Sequence, residues 1–237
     1  MYEFGTSHAV LLHPKPALGI CITGQLCRLE LSNKISNLIK PSSEHFAIHL
    51  VIAVYTTCKF TNGIAFTGEF GDSEATVRRM LKNFSHVGSY LKHSTLAILK
   101  EPLETIHARY IESLDKKQTL NNTERARNHY RHWHNYRICD DLLDQSSVYM
   151  RIREDSIFFD KFSPWELSSV PSKVPLKENS VAVPSCLSWR GGINDKAAIV
   201  YPSARKDFFN GPLLAYENHF HSRACTFSKT AADCDWI

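Results

Sequence analysis

The chain has 237 residues, of which 43% are hydrophobic and 22% charged. A fold of that length hides roughly 70% of its unfolded surface, so it needs no disulfide or metal staples. The composition also excludes a disordered tail and a low-complexity chain. With 28 Lys+Arg against 24 Asp+Glu, the net charge of +4 falls short of a dedicated nucleic-acid domain. Polyanionic small molecules such as nucleotide diphosphates stay open.

Ala17 to Thr23 reads as a buried strand ending at Gly24-Gln25. The spacing predicts a helix after it, with Leu29, Ile35, Leu38 and Ile39 on its apolar side and Pro41 as its stop. Phe46 to Thr56 is a continuous β-branched and aromatic run, suited to a strand covered on both faces. Asp72-Ser73 caps a helix marked by Val77, Met80, Leu81 and Phe84. A short strand is expected within Leu96 to Leu99, and a helix opens at Pro102. The longest helix spans Thr123 to Asp144, followed by a strand over Val148 to Phe159. Further strands are expected at Ser180 to Val183 and Ala197 to Tyr201. Pro202 to Ala224 reads as helix, broken at Gly211-Pro212. Alternating strands and helices argue for one α/β domain over 17–237, after an extension over 1–16. Its sheet would be Rossmann-like and mostly parallel, with helices on both faces.

Seven cysteines, at 21, 27, 58, 139, 186, 225 and 234, contain no CxxC pair. Neither a zinc ribbon nor a full disulfide framework can be read, and mostly buried free thiols are expected, with Cys225–Cys234 the pair a secreted chain could form. The longest apolar run, Phe46 to Tyr55, is broken by His49 and is half of the roughly 20 residues a membrane helix needs. Met1 to Pro16 shows no signal-peptide pattern, so a soluble chain is expected. A secretory lumen enters only if the chain is a fragment; there the sequons at Asn83 and Asn121 would matter.

Three segments carry chemistry. In Val148 to Ser156, period-two alternation puts Arg151, Arg153 and Asp155 on one side of a strand and Met150 and Ile152 on the other. At the carboxyl end of a parallel strand, Asp can hold a hard cation and Arg can grip phosphate oxygens. An internal Arg–Asp salt bridge is the competing reading. In Trp189 to Lys196, Gly191-Gly192 allows close backbone approach to a ligand, and Asn194-Asp195 offers an amide and a carboxylate; an ordinary turn explains the same residues. Gly24-Gln25, with Arg28 behind, suits approach to a nucleotide or a tight turn, but matches neither GxGxxG nor a P-loop. His129, His132 and His134 do not share one helix face, so a solvated basic face is expected there rather than a metal site. Tyr130, Trp133 and Tyr136, interleaved with arginines over Arg125–Arg137, follow core periodicity more than nucleic-acid binding.

Taken together, Gly24-Gln25 with Arg28-Leu29-Glu30, Arg151-Ile-Arg153-Glu-Asp155 and Gly191-Gly192-Ile-Asn194-Asp195-Lys196 resemble a group of algal and other protist proteins of unassigned function. Those are similar in turn to glycosyltransferases of the GT-A fold, which use nucleotide-diphosphate sugars. The resemblance runs from Gly19 to Tyr216 and rests on the order and spacing of the three motifs. It implies a nucleotide-sugar domain with Gly24, Gln25 and Arg28 near the nucleotide. Arg151, Arg153, Asn194 and Lys196 would join the donor site. Asp155 would take the place of the acidic metal motif, holding a divalent cation, Mn or Mg. The sequence departs from the family there, because Arg153 stands where Asp-x-Asp has its first carboxylate; Arg replacing the metal is the alternative. Asp195 is the implied catalytic base and Glu217 the second candidate. The implied partners are a nucleotide-diphosphate sugar donor and a glycan, protein or small-molecule acceptor, with neither nucleic acid nor membrane. A catalytically inactive sugar-nucleotide or glycan-binding module is the alternative function, and nucleic-acid binding through Arg125–Arg137 a more distant one.

Overall fold

The computed structural model describes residues 14–56, 73–87, 91–99, 108–113, 122–164, 180–183 and 196–221. Strand β1 (Ala17–Gln25) leads through a 3-10 turn into α1 (Leu31–Lys34), a π turn (Ile35–Ile39) and α2 (Lys40–Ser43). There follow β2 (Ala47–Tyr55), α3 (Glu74–Val87), β3 (Leu91–Leu99), α4 (Ala108–Ser113) and α5 (Asn122–Leu142). β4 (Val148–Arg153), β5 (Val181–Ala182), β6 (Ala197–Val200) and α6 (Arg205–His221) complete the order among the described residues.

Six strands form one sheet in the order β3-β2-β1-β4-β6-β5. β1 pairs in parallel with β2 and β4, and β2 with β3. β6 runs antiparallel to both β4 and β5. The fold is therefore α/β with a mostly parallel sheet, and an antiparallel strand is inserted beside β4. Alternation along the strands divides the core between the two faces. Leu18, Ile20, Ile22, Met150 and Ile152 face Leu31, Ile35, Leu38 and Ile39, with Val77 and Leu81 of α3. Cys21, Val51, Ala53 and Tyr149 face Tyr136 and Cys139 of α5, Leu143 just past its end, and Phe209 of α6. Covering on both sides is why β2 reads as an apolar run interrupted by His49 alone.

Three local expectations are corrected. Pro41 does not stop the first helix, which continues to Ser43. The carbonyl of Asn37, which residue 41 would serve in an α-helix, accepts the backbone N–H of Phe162 at 2.7 Å instead. Nor does α6 break at Gly211-Pro212. Phe209, Leu213 and Tyr216 are buried along one side of it, and that packing carries the helix past the missing donor. The third correction concerns the cysteines: Cys21 of β1 is bonded to Cys139 of α5, their Cα atoms 5.9 Å apart, and Cys27 is disulfide-bonded as well. Partners 118 residues apart in sequence meet only because β1 and α5 stack, which no spacing rule reveals. Cys225 and Cys234 lie outside the described residues.

Candidate functional site

The carboxyl ends of β1 and β4 lie side by side, with Thr23 opposite Arg153. β4 ends at Arg153, earlier than the sequence suggests, because Glu154 and Asp155 turn away from the sheet. The backbone N–H of Glu154 donates to the Thr23 carbonyl at 2.9 Å, and that of Arg153 to the carbonyl of Lys196 at 2.9 Å. β6 runs opposite to β4, so its first residues arrive at the same edge where β4 finishes. Residues distant in sequence therefore meet at one point.

That point is Asp155. Its Oδ2 accepts from Arg28 Nη2, from Arg153 Nη2 at 3.0 Å and from Lys196 Nζ at 2.8 Å. Oδ1 is buried and accepts no hydrogen bond among the described residues. The side chains of Arg28, Arg153 and Lys196 are 27%, 24% and 42% exposed, that of Asp155 only 16%. Burial pushes the Asp155 carboxyl upward, but the Lys196 hydrogen bond and the charges of Arg153 and Arg28 outweigh it and hold the group below the usual carboxylate range. Glu154 behaves in the opposite way. Burial, reinforced by the neighbouring Asp155 charge, pushes its carboxyl up although Arg28 Nη1 lies 3.5 Å from Oε1. The cluster thus holds three partly exposed cations around one carboxylate held below its usual range and a second pushed above it.

Two features fix this turn that the sequence does not announce. Lys34, fully buried in α1, donates from Nζ to the carbonyls of Glu154 at 2.6 Å and Ser156 at 2.9 Å. On the same helix, Asn33 Nδ2 donates to the Phe158 carbonyl at 3.0 Å and Asn33 Oδ1 accepts the Phe158 N–H at 2.9 Å. A lysine in an amphipathic helix ordinarily reads as a solvated face, so neither its burial nor the folding back of this loop is legible in the sequence. Gly24 has φ +139°, and a Cβ there would lie 1.8 Å from Glu154 Oε2. The open space over this glycine is filled by Glu154.

Arg151 parts company with Arg153. It is 1% exposed beneath α5, where its guanidinium donates to Thr23 Oγ1 from Nε at 3.2 Å and Nη2 at 3.1 Å. It lies 4.6 Å from the ring centre of Tyr136, and its Nη2 is 3.3 Å from Nε2 of His132. Burial of the His132 ring, together with the charges of Arg151, Arg153 and His129, pushes its pKa well down, so the imidazole stays neutral. Of the three helix histidines, His134 meets the Tyr55 hydroxyl at 2.9 Å and His129 that of Tyr110 at 2.6 Å. They point to separate partners. Among the arginines of α5, Arg127 and Arg131 pair with Glu124 and Arg137 with Glu217. Tyr130 and Tyr136 are buried. Glu217 therefore stands on the α5–α6 surface with Arg137 at 3.4 Å, apart from the Asp155 cluster. Asp195 and Asn194, with Gly191 and Gly192, lie outside the described residues. Gly24, Gln25, Arg28, Arg153, Asp155 and Lys196 share the edge formed by β1, β4 and β6.

A divalent cation does not suit this donor set. Hard cations take six or more oxygens, commonly from several carboxylates or carbonyls. Among the described residues no three His, Cys, Asp or Glu side chains group as a metal site. Asp155 spends one oxygen on three cations, whose charges repel a further cation at the other.

No family model matches the chain, and no curated protein matches it. Among solved structures it is similar to the galactosyltransferase LgtC in complex with donor and acceptor sugar analogs, with 9% identity and a TM-score of 0.42. That alignment covers 86% of this chain and 65% of the other. The apo form of the glycosyltransferase GlyE from Streptococcus pneumoniae aligns over 90% of this chain and 41% of its own, at 12% identity and a TM-score of 0.39. An active-site mutant of LgtC gives 9% identity and a TM-score of 0.42, over 89% of this chain and 67% of that one. The chain thus spans less than two thirds of the length of the first two of these structures.

Proposed function

We propose that the chain is a glycosyltransferase that moves a sugar from a nucleotide-diphosphate sugar to an acceptor hydroxyl. The observation that carries this reading is the convergence of Arg28, Arg153 and Lys196 on Asp155 at the carboxyl edge of a parallel sheet. In open α/β sheets that edge is where ligands bind. Arginine forks and a lysine are the side chains suited to phosphate oxygens, and the motifs of the three segments resemble GT-A-fold enzymes at the same residues.

In the proposed reaction the bond between the anomeric carbon and the diphosphate oxygen breaks. A bond from the acceptor oxygen to that carbon forms, and the acceptor proton passes to a carboxylate, for which Asp195 is the candidate. The diphosphate departs with one more negative charge than it carried as an ester. Fixed cations aimed at that charge lower the barrier because they need no reorganisation when it develops. Asp155 serves as the common anchor of the cations.

Removing the anchor tests the reading. Asp155→Ala is expected to weaken binding of nucleotide-diphosphate sugars at least tenfold, read by titration calorimetry, and to abolish sugar release or transfer. A variant that binds and turns over donor like the unaltered chain assigns the chemistry elsewhere. Binding by the unaltered chain without any turnover favours the catalytically inactive sugar-nucleotide module. If no nucleotide-diphosphate sugar raises the melting temperature or gives heat on titration, the whole reading falls.

A further inference from the structure

We infer that the Arg28–Arg153–Lys196 cluster grips a diphosphate group directly, without a divalent cation between protein and phosphate. The inference deepens the reading above by assigning the neutralising role to three side chains of this protein. It also separates two possibilities that the Arg153-Glu154-Asp155 sequence leaves open.

The geometry favours side chains over metal on three counts. The three cationic groups come from three elements, the turn after β1, the end of β4 and the start of β6, yet all reach one carboxylate oxygen. Unit positive charges gathered this closely repel one another, so a multiply charged anion is the ligand that suits the place where they meet. Each cation also keeps between 24% and 42% of its side chain exposed, while Asp155 is more enclosed than any of them. An incoming ligand therefore meets positive charge first. Finally, the second carboxylate of the turn is turned inward: Glu154 is 3% exposed and fills the space over Gly24. It is not presented to a ligand or to a metal.

A diphosphate suits this arrangement better than a monoanion. It carries several negative charges over two linked groups, and two arginine forks with one lysine offer donors to both. No bond to phosphorus forms or breaks in the grip itself. Its role is to bind the group and to stabilise the charge it gains on leaving.

Inorganic pyrophosphate is the probe, because it contains the diphosphate and nothing else. Titrated into the full chain in EDTA, it is expected to bind, with affinity falling about tenfold or more in Arg28→Ala and in Lys196→Ala. Both residues are partly exposed, and the measurement on the unaltered chain in EDTA needs no variant. Mn²⁺ is then added to protein alone and free Mn²⁺ is followed by its paramagnetic resonance signal. The signal is expected to be the same for the unaltered chain and for Asp155→Asn. The inference is overturned if pyrophosphate binds only when Mn²⁺ is present, or if the unaltered chain takes up Mn²⁺ at a site that Asp155→Asn lacks. Those outcomes leave sugar transfer standing as a metal-dependent reaction. Pyrophosphate binding in EDTA, with no nucleotide-diphosphate sugar bound or turned over, keeps the grip and removes the transferase reading instead.

Discussion

Gly24 shows how a single residue ties backbone to site. Its φ of +139° lies where side chains are strained, and the missing Cβ makes room for the Glu154 carboxylate. Gly24→Ala is expected to lose about 2–4 kcal/mol of stability in denaturant unfolding, since strain and a buried clash add. A loss below about 1 kcal/mol would mean that Glu154 swings away cheaply. His132 offers a test by pH. Its folded pKa is held below the ordinary 6.5 by burial and by Arg151, Arg153 and His129. Above about pH 6.5 both folded and unfolded forms are neutral, and its contribution is complete. Below that value the unfolded chain takes up a proton that the folded chain refuses, so stability falls as pH drops. The slope from this group approaches about 1.4 kcal/mol per pH unit. Asp155, held below 3.8 by its cations, acts in a separate and more acid window, with its contribution present above that value and lost as pH falls through the folded pKa. Comparing unfolding from pH 7 down to 5 in the unaltered chain and in His132→Gln isolates the histidine. The variant should give the flatter curve, and parallel curves would refute the assignment.

At the scale of elements, the strands β1, β2 and β4 were readable because each has a period or a run that burial on two faces demands. Arg151 and Arg153 were likewise readable as one side of β4, whereas Asp155, expected on that side, lies in the turn beyond its end. What alternation could not say is that Tyr136 and His132 of α5 enclose Arg151 while Arg153 keeps about a quarter of its side chain exposed. Two arginines of the same face thus become a core residue and a partly exposed one at the edge of the sheet. Lys34 was hidden for a related reason. Its partners are backbone carbonyls 120 and 122 residues away, and carbonyls carry no sequence signature. Lys196 and Arg28 appeared as separate motif members, and only the antiparallel placement of β6 shows that they share an oxygen. The bond between β1 and α5 belongs to this scale as well. Closing a loop of 118 residues restricts the unfolded chain, so Cys21→Ala/Cys139→Ala is expected to lose about 4–5 kcal/mol in denaturant unfolding. If the variant unfolds at the same denaturant concentration as the unaltered chain, the packing of α5 on the sheet suffices without the bond.

For the whole molecule, charge matters by position more than by sum. A net +4 spread over 237 residues names no ligand; the proposed one rests on three cations drawn to one edge of the sheet. The arginines of α5 contribute little to that edge, since Arg127, Arg131 and Arg137 are paired on the helix surface and Arg151 is enclosed. The disulfides add a constraint of another kind, because such bonds persist in oxidising surroundings and are rare where glutathione keeps thiols reduced.

The Cys21–Cys139 bond also makes the chain a closed ring with two tails. A protease that cuts one peptide bond between Ile22 and Ile138 opens the ring but releases nothing. β1 stays covalently joined to α5 and everything after it. Nicked protein should therefore run as one band on a denaturing gel without reductant and as two fragments with it. Cutting after Cys139 separates the pieces only if no other disulfide spans the cut. Limited proteolysis with the two gels side by side thus reads the connectivity of the protein directly, cut by cut.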